Sequence, residues 1–179
     1  TLPLMANGGA LTIGKDLLSD MLPGTGSIAL SISPLPQLDA AGLVRDLDRY
    51  PYGCSEQTVS RALPLLYLSD LGVSEKDIDG ELKQRMQEAV TRLADRQSGS
   101  GNFGLWSAYD GGSLWLSAYV TDFLLRAREK GFAVPEDTLV GGLDYIRNMV
   151  GNAPDIEEGQ GQDMAYALYV LARAGRAPV

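Results

Sequence analysis

The sequence predicts a mainly α fold: a partial α/α toroid preceded by a short β segment. Three observations predict it. Helical stretches alternate between segments that are apolar nearly all round and segments charged on one face. Glycines stand where several of those helices should stop. A two-residue apolar period occurs once as a clear run, in the first 38 residues. A helix apolar all round is buried and a one-sided helix lies outside, so the alternation describes inner and outer helices laid down in turn.

Residues 26–33 (Gly-Ser-Ile-Ala-Leu-Ser-Ile-Ser) place Ile28, Leu30 and Ile32 on one side, the pattern of a half-buried strand. Residues 10–13 suggest a second, shorter strand. Pro23 to Gly26 read as a turn, and Ser33-Pro-Leu-Pro36 ends the β region. Two strands are too few for a stable sheet, so residues 1–38 are expected to flank a larger β domain. From Asp39 the chain reads as helix. Asp39 suits the cap of a short helix over 40–48. A second helix is expected from Ser55 to about Asp70, stopped by Gly72 and disturbed by Pro64. Further helices are expected over 79–97, 113–130, 135–150 and 162–174, with Pro135 at the first helical position and Gly131 and Gly175 as stops. The second, fourth and sixth are the apolar ones. Only about half the helices of a closed ring fit in this length. Residues 39–179 are therefore expected to be the N-terminal part of a toroid. The start at Thr1 rather than Met also suggests a piece of a longer protein. An exposed apolar surface and self-association are expected from such a cut.

Composition excludes several function classes. The chain has 179 residues, 45% hydrophobic and 21% charged, an ordinary globular balance. Its formal charge is −8, with Lys and Arg scattered among acids and no basic stripe for nucleic acid. It has no histidine, which removes His-based triads and His-ligated metals within the chain. Its one cysteine cannot form an intrachain disulfide. No apolar run approaches the roughly 18 residues of a membrane span.

Tyr50-Pro-Tyr-Gly-Cys-Ser-Glu-Gln57 is the segment that carries chemistry. Cys54 and Gln57 are three apart at a helix start, where i and i+3 side chains face each other. The Cys54 sulfur can then attack the Gln57 carboxamide, expel ammonia and close a thioester ring of about 15 atoms. Gly53 would permit a close backbone approach. Such an acyl group reacts with any nucleophile, so it needs shielding from water. Tyr50, Tyr52, Trp106, Tyr109 and Trp115 are the candidate shields, since aromatic rings exclude water over a large area. A lone cysteine at a helix start is also commonly a small buried hydrophobe, and spacing alone leaves both readings open.

Pro51-Tyr-Gly-Cys-Ser-Glu-Gln57 closely resembles the P-Y-G-C-G-E-Q thioester signature of the alpha-2-macroglobulin and complement family, with Ser55 at its second glycine. Residues 101–106 (Gly-Asn-Phe-Gly-Leu-Trp) and 113–120 (Ser-Leu-Trp-Leu-Ser-Ala-Tyr-Val) are similar to the family's later segments, where Trp-Leu-Thr-Ala is usual. Residues 163–170 resemble a later inner helix, and the Leu-Ser-Ile-Ser-Pro-Leu-Pro run resembles bacterial members. The resemblance implies a thioester domain, an α/α toroid of the terpenoid cyclase and prenyltransferase type, inserted in a CUB-like β-sandwich. It makes Cys54 and Gln57 the thioester pair, with Gly53 and Glu56 in support. It implies a complement-like bacterial defence protein that inhibits endopeptidases and is not an enzyme. Target proteases cut a bait region, the molecule changes shape, and a protease lysine is captured covalently. It implies further domains and a periplasmic protein held at the inner membrane by a lipid. Some complement relatives redirect the reaction to hydroxyls with a histidine. That relay is absent from this chain, so direct attack by amines is expected.

Two other readings stand beside it: an α/α-toroid enzyme such as a cyclase, and an interaction module with an inert Cys54. Residues 97–106 resemble the QW motif of triterpene cyclases, where Gln and Trp tie neighbouring helices, but the cyclase Asp-x-Asp-Asp acid motif is absent. Asp46 with Asp48, and Asp155 with Glu157 and Glu158, read as solvated faces and loops. Gly111-Gly112 reads as a turn, and no phosphate-loop motif is present. No metal or cofactor is expected.

Overall fold

The computed structural model describes residues 19–22, 24–25, 53–67, 79–153 and 161–177. The chain divides into two units, Thr1–Leu43 and Val44–Val179. Within the first, the amide and the hydroxyl of Thr25 both donate to the Leu22 carbonyl, at 3.1 and 2.7 Å, and so form a turn. The expected strands, the helix over 40–48 and the stop at Gly72 lie outside the described residues. So do Tyr50, Tyr52 and both acidic clusters.

The second unit is helical. Its described elements are α1 (Ser55–Ala62), a 3-10 stretch (Leu63–Tyr67), α2 (Asp79–Ala94), α3 (Leu114–Glu129), α4 (Glu136–Gly151) and α5 (Gly161–Arg173). The α3 helix lies in the middle and packs against α1, α4 and α5, while α2 rests on α1 and α4 on α5. The α/α alternation is therefore the arrangement that forms. The α3 helix is inner, with Leu116, Ala118, Val120, Phe123, Leu124, Leu125 and Ala127 all buried. The α2 and α4 helices bury single stripes: Met86, Ala89, Val90 and Leu93 in one, and Leu139, Leu143 and Ile146 in the other.

Local chemistry explains where these helices start and stop, and where they depart from the sequence reading. The α1 helix was expected to run to Asp70, but its α-helical part ends at Ala62 and a 3-10 stretch follows. Pro64 has no N–H to give the Ser60 carbonyl, and its ring crowds that turn. The Leu63 N–H makes the last α bond, to Val59. Pro135 is the N-cap of α4 rather than its first helical residue, and makes no side-chain cap. Glu136 and Asp137 follow it and suit the positive helix end. Ser113 caps α3 by accepting from Leu116 N–H at 3.1 Å. The α2 helix stops at Ala94 rather than Gln97, because Gln97 pairs as an isolated antiparallel bridge with Phe103. The Gln97 side chain then donates to Gly101 O at 3.0 Å and to Thr138 O at 2.8 Å, tying the end of α2 to the start of α4.

The α5 helix is the clearest departure. Its apolar run predicted burial all round, but only Met164, Ala167, Val170 and Leu171 are buried. Leu168 and Tyr169 are 38% and 45% exposed. Tyrosines extend the apparent apolar run, yet a tyrosine can lay its ring on a core and keep its hydroxyl at a polar edge.

Close packing of α3 on α4 depends on Gly142. A Cβ there would lie 2.6 Å from Thr121 Oγ1 and 3.1 Å from the Phe103 ring, and both residues are fully buried. Gly142→Ala is expected to destabilise the protein by about 1–3 kcal/mol through overpacking. This should be read as a lower urea midpoint at an unchanged slope. An unshifted midpoint would mean that the α3–α4 contact is looser than described.

Candidate functional site

The site is built on the N-terminal turn of α1. Cys54 is its N-cap, in an extended conformation with φ −65° and ψ 167°. The Cys54 sulfur accepts from the Gln57 N–H at 3.4 Å, and the Gln57 side-chain oxygen accepts from the Cys54 N–H at 3.3 Å. This is a capping box in which a thiol replaces the usual hydroxyl. The two side chains are thereby folded toward each other around a closed turn. Cys54 is buried, at 6% exposure, and Gln57 is partly buried. Thr58 secures the turn from inside, its hydroxyl donating to Cys54 O at 2.8 Å.

A hairpin loop, 95–113, grips this turn from outside. Ser55 N–H donates to Leu105 O at 2.8 Å, and Ser55 Oγ donates to Gly104 O at 2.6 Å. The loop is bent sharply at Gly104, where a Cβ would fall 1.8 Å from Ser107 O. Asp110 holds the bend by accepting from Trp106 N–H at 2.5 Å, Ser107 N–H at 2.7 Å and Ser107 Oγ at 2.8 Å. Those bonds, the Ser107 hydroxyl first, lower the Asp110 pKa. Arg96 joins the loop to the turn: its carbonyl accepts from Gly104 N–H at 3.0 Å, and its guanidinium donates to Ser55 Oγ at 3.4 Å.

The model of the A-macroglobulin TED domain matches residues 28–149. The chain belongs to that family. The chain is 34% identical to the Escherichia coli alpha-2-macroglobulin over 96% of its own length and 11% of that protein. The crystal structure of the native E. coli protein from domain MG7 to the C-terminus superposes with a TM-score of 0.68 at 33% identity, over 80% of this chain and 24% of that one. A Salmonella alpha-2-macroglobulin reacted with methylamine gives 0.68 at 33% identity, over 80% of this chain and 10% of that one. The chain thus spans about a tenth of the length of the curated relatives that it matches.

The structure brings some of the sequence-predicted site residues together and leaves others apart. Cys54, Glu56 and Gln57 share one turn. Gly53 precedes it, and a Cβ there would meet only the end of the Arg92 side chain, at 2.7 Å. Gly53 is thus covered by a movable guanidinium rather than by backbone. Trp106 and Tyr109, expected as shields, are 56% and 97% exposed in this chain. Trp106 therefore does not tie helices together as the QW reading expected; Gln97 does that without it. Trp115 is 38% exposed and stacks on Tyr119, with ring centroids 5.2 Å apart. Tyr119 is one of the residues that the sequence reading missed. Its hydroxyl lies 3.1 Å from Ser60 Oγ, which donates to Glu56 Oε1 at 2.8 Å. Burial chiefly raises the Tyr119 pKa, so its hydroxyl keeps its proton at neutral pH. Glu56 is in this way fixed to α3. Ser60, Arg96 and Asp110 were also missed. Among the described residues no group of three His, Cys, Asp or Glu side chains is placed to hold a metal.

Proposed function

We propose that Cys54 and Gln57 form an intramolecular thioester, and that it captures lysine amines of proteases in a trap of the alpha-2-macroglobulin kind. The reciprocal Cys54–Gln57 capping bonds carry this reading. Ring closure joins Cys54 Sγ to the Gln57 side-chain carbonyl carbon, breaks its C–N bond and releases ammonia, which takes up the thiol proton. In the closed ring the Cys54 N–H faces the acyl oxygen and polarises it, as an oxyanion donor does. An amine then attacks the acyl carbon, an amide forms, and Cys54 leaves as thiolate. With no histidine in the chain, no imidazole of its own activates a hydroxyl. Amines are therefore the preferred nucleophiles. The methylamine reaction of the Salmonella relative supports this chemistry. The thioester is spent in one reaction, so the protein is an inhibitor and not an enzyme. Its full-length form is periplasmic, anchored at the inner membrane by a lipid, and carries the bait region in other domains.

Intact mass tests the proposal. Freshly purified full-length protein is expected to be lighter than its sequence by one ammonia and to show no titratable Cys54 thiol. Methylamine is expected to add to Gln57 and release that thiol. A Cys54 that titrates at once, beside an unmodified Gln57 carboxamide, would leave an interaction module with an inert cysteine.

A further inference from the structure

We propose that Arg96, together with Arg92 one turn before it, is the electrostatic positioning group for the departing Cys54 thiolate. The inference rests on the thioester reading above. Arg92 lies in the last turn of α2, and Arg96 in the turn that follows the helix. Both reach the first turn of α1. The Arg92 guanidinium lies over Gly53, next to Cys54. The Arg96 guanidinium bonds Ser55, on the other side of Cys54. One cation thus reaches each chain neighbour of Cys54 at a helix N-terminus, which is itself positive.

That arrangement is poorly compensated in the resting state. Among the described residues neither guanidinium forms an ion pair. Burial lowers the Arg96 pKa and the charge of Arg92 lowers it further; Cys54 and then Asp110 act in the opposite direction. Asp110 is exposed and already occupied by the Trp106 and Ser107 bonds. Cys54 is therefore the buried group able to supply the missing negative charge. A thioester sulfur is neutral and supplies none. During aminolysis the amine nitrogen bonds to the Gln57 acyl carbon and the C–S electron pair moves to Cys54 Sγ. The amine proton passes to a base in water, and the thiolate later takes a proton from water. The attraction between guanidinium and sulfur grows only as the C–S bond breaks. An interaction stronger in the transition state than in the ground state accelerates the step.

The test uses full-length protein and methylamine as the probe, with thiol release followed in time. Each variant is first weighed to verify that its thioester closed. Arg96→Met is expected to release thiol about 10-fold more slowly than wild type at low salt, and Arg96→Lys to stay within about 3-fold, because an unscreened charge at this site contributes on that order. A merely structural role predicts the opposite sign: a loosened loop would expose the ring and speed its opening. Wild-type or faster release in Arg96→Met overturns the proposal, and so does an Arg96→Lys variant as slow as Arg96→Met. If Arg96→Met does not close its thioester, Arg92→Met and Arg92→Lys are read by the same criteria. Wild-type protein that takes up no methylamine refutes the thioester reading itself, a result distinct from any ranking among the variants.

Discussion

Replacing Cys54 by Ser in the full-length protein is expected to abolish amine capture while leaving the domain folded. The two effects separate because the proposed thioester gives Cys54 a second role beside its N-cap. As an N-cap it accepts one hydrogen bond, from the Gln57 N–H. Serine is among the best residues for that position, and its hydroxyl completes the same capping box with Gln57. Stability is therefore expected to stay within about 1 kcal/mol of wild type. As a nucleophile, however, a serine hydroxyl is almost wholly un-ionised at neutral pH. No ring should close, the mass should equal that of the sequence, and methylamine incorporation should fall to the detection limit. Incorporation that persists in Cys54→Ser would show that another group carries the acyl function. Loss of folding along with reactivity would show that the sulfur is chiefly a core group. Its 6% exposure makes that a fair comparison.

The juxtaposition of Cys54 and Gln57 was legible in the sequence because the two are three residues apart and share one helical turn, where spacing alone determines geometry. Its surroundings were not. Gly104 reaches Ser55 across 49 residues, Arg96 across 41, and Tyr119 reaches Ser60 across 59. Those contacts exist only because the Gln97–Phe103 bridge folds the loop back and α3 packs on α1. No local pattern encodes that. The exposure of Trp106 and Tyr109 was not legible for a related reason: residue type says that a ring can exclude water, not which way it faces. Trp106 stands outward because Asp110 pins the backbone of residues 106 and 107 into a tight turn. The alternation of helices was legible, since burial periodicity is a property of each helix by itself. Its failure at α5 was not, because Tyr166 and Tyr169 count as apolar in a periodicity and as polar in a network.

That network supports the second large expectation. Asp122 on α3 is 3% exposed. Both of its carboxylate oxygens lie 3.0 Å from Arg126 Nε, Tyr166 Oη donates to one of them at 3.1 Å, and Arg173 Nε stands 3.9 Å away. Arg126 in turn donates to Tyr67 Oη at 2.8 Å and Tyr169 Oη at 2.9 Å. Burial pulls the Arg126 pKa down, but the bonds to Tyr67 and Asp122 outweigh it and hold the charge. Burial first, and then Asp122, raise the Tyr166 pKa, so that hydroxyl stays a donor throughout the neutral range. One carboxylate thus joins the end of the 3-10 stretch, α3 and α5. Asp122→Ala strands the Arg126 guanidinium and the Tyr166 hydroxyl together. Breaking one side of a buried pair costs about 3–5 kcal/mol. The Arg126 side chain keeps 21% exposure, so water recovers part of that loss. A loss of about 2–4 kcal/mol is therefore expected in urea unfolding. The double variant Asp122→Leu with Arg126→Met removes both charges and replaces them with apolar volume. It should lose less than the single change, because no ion is left stranded. A single variant within about 0.5 kcal/mol of wild type, or a double variant worse than the single, would show that the core around Phe123 holds α3 and α5 together without this network.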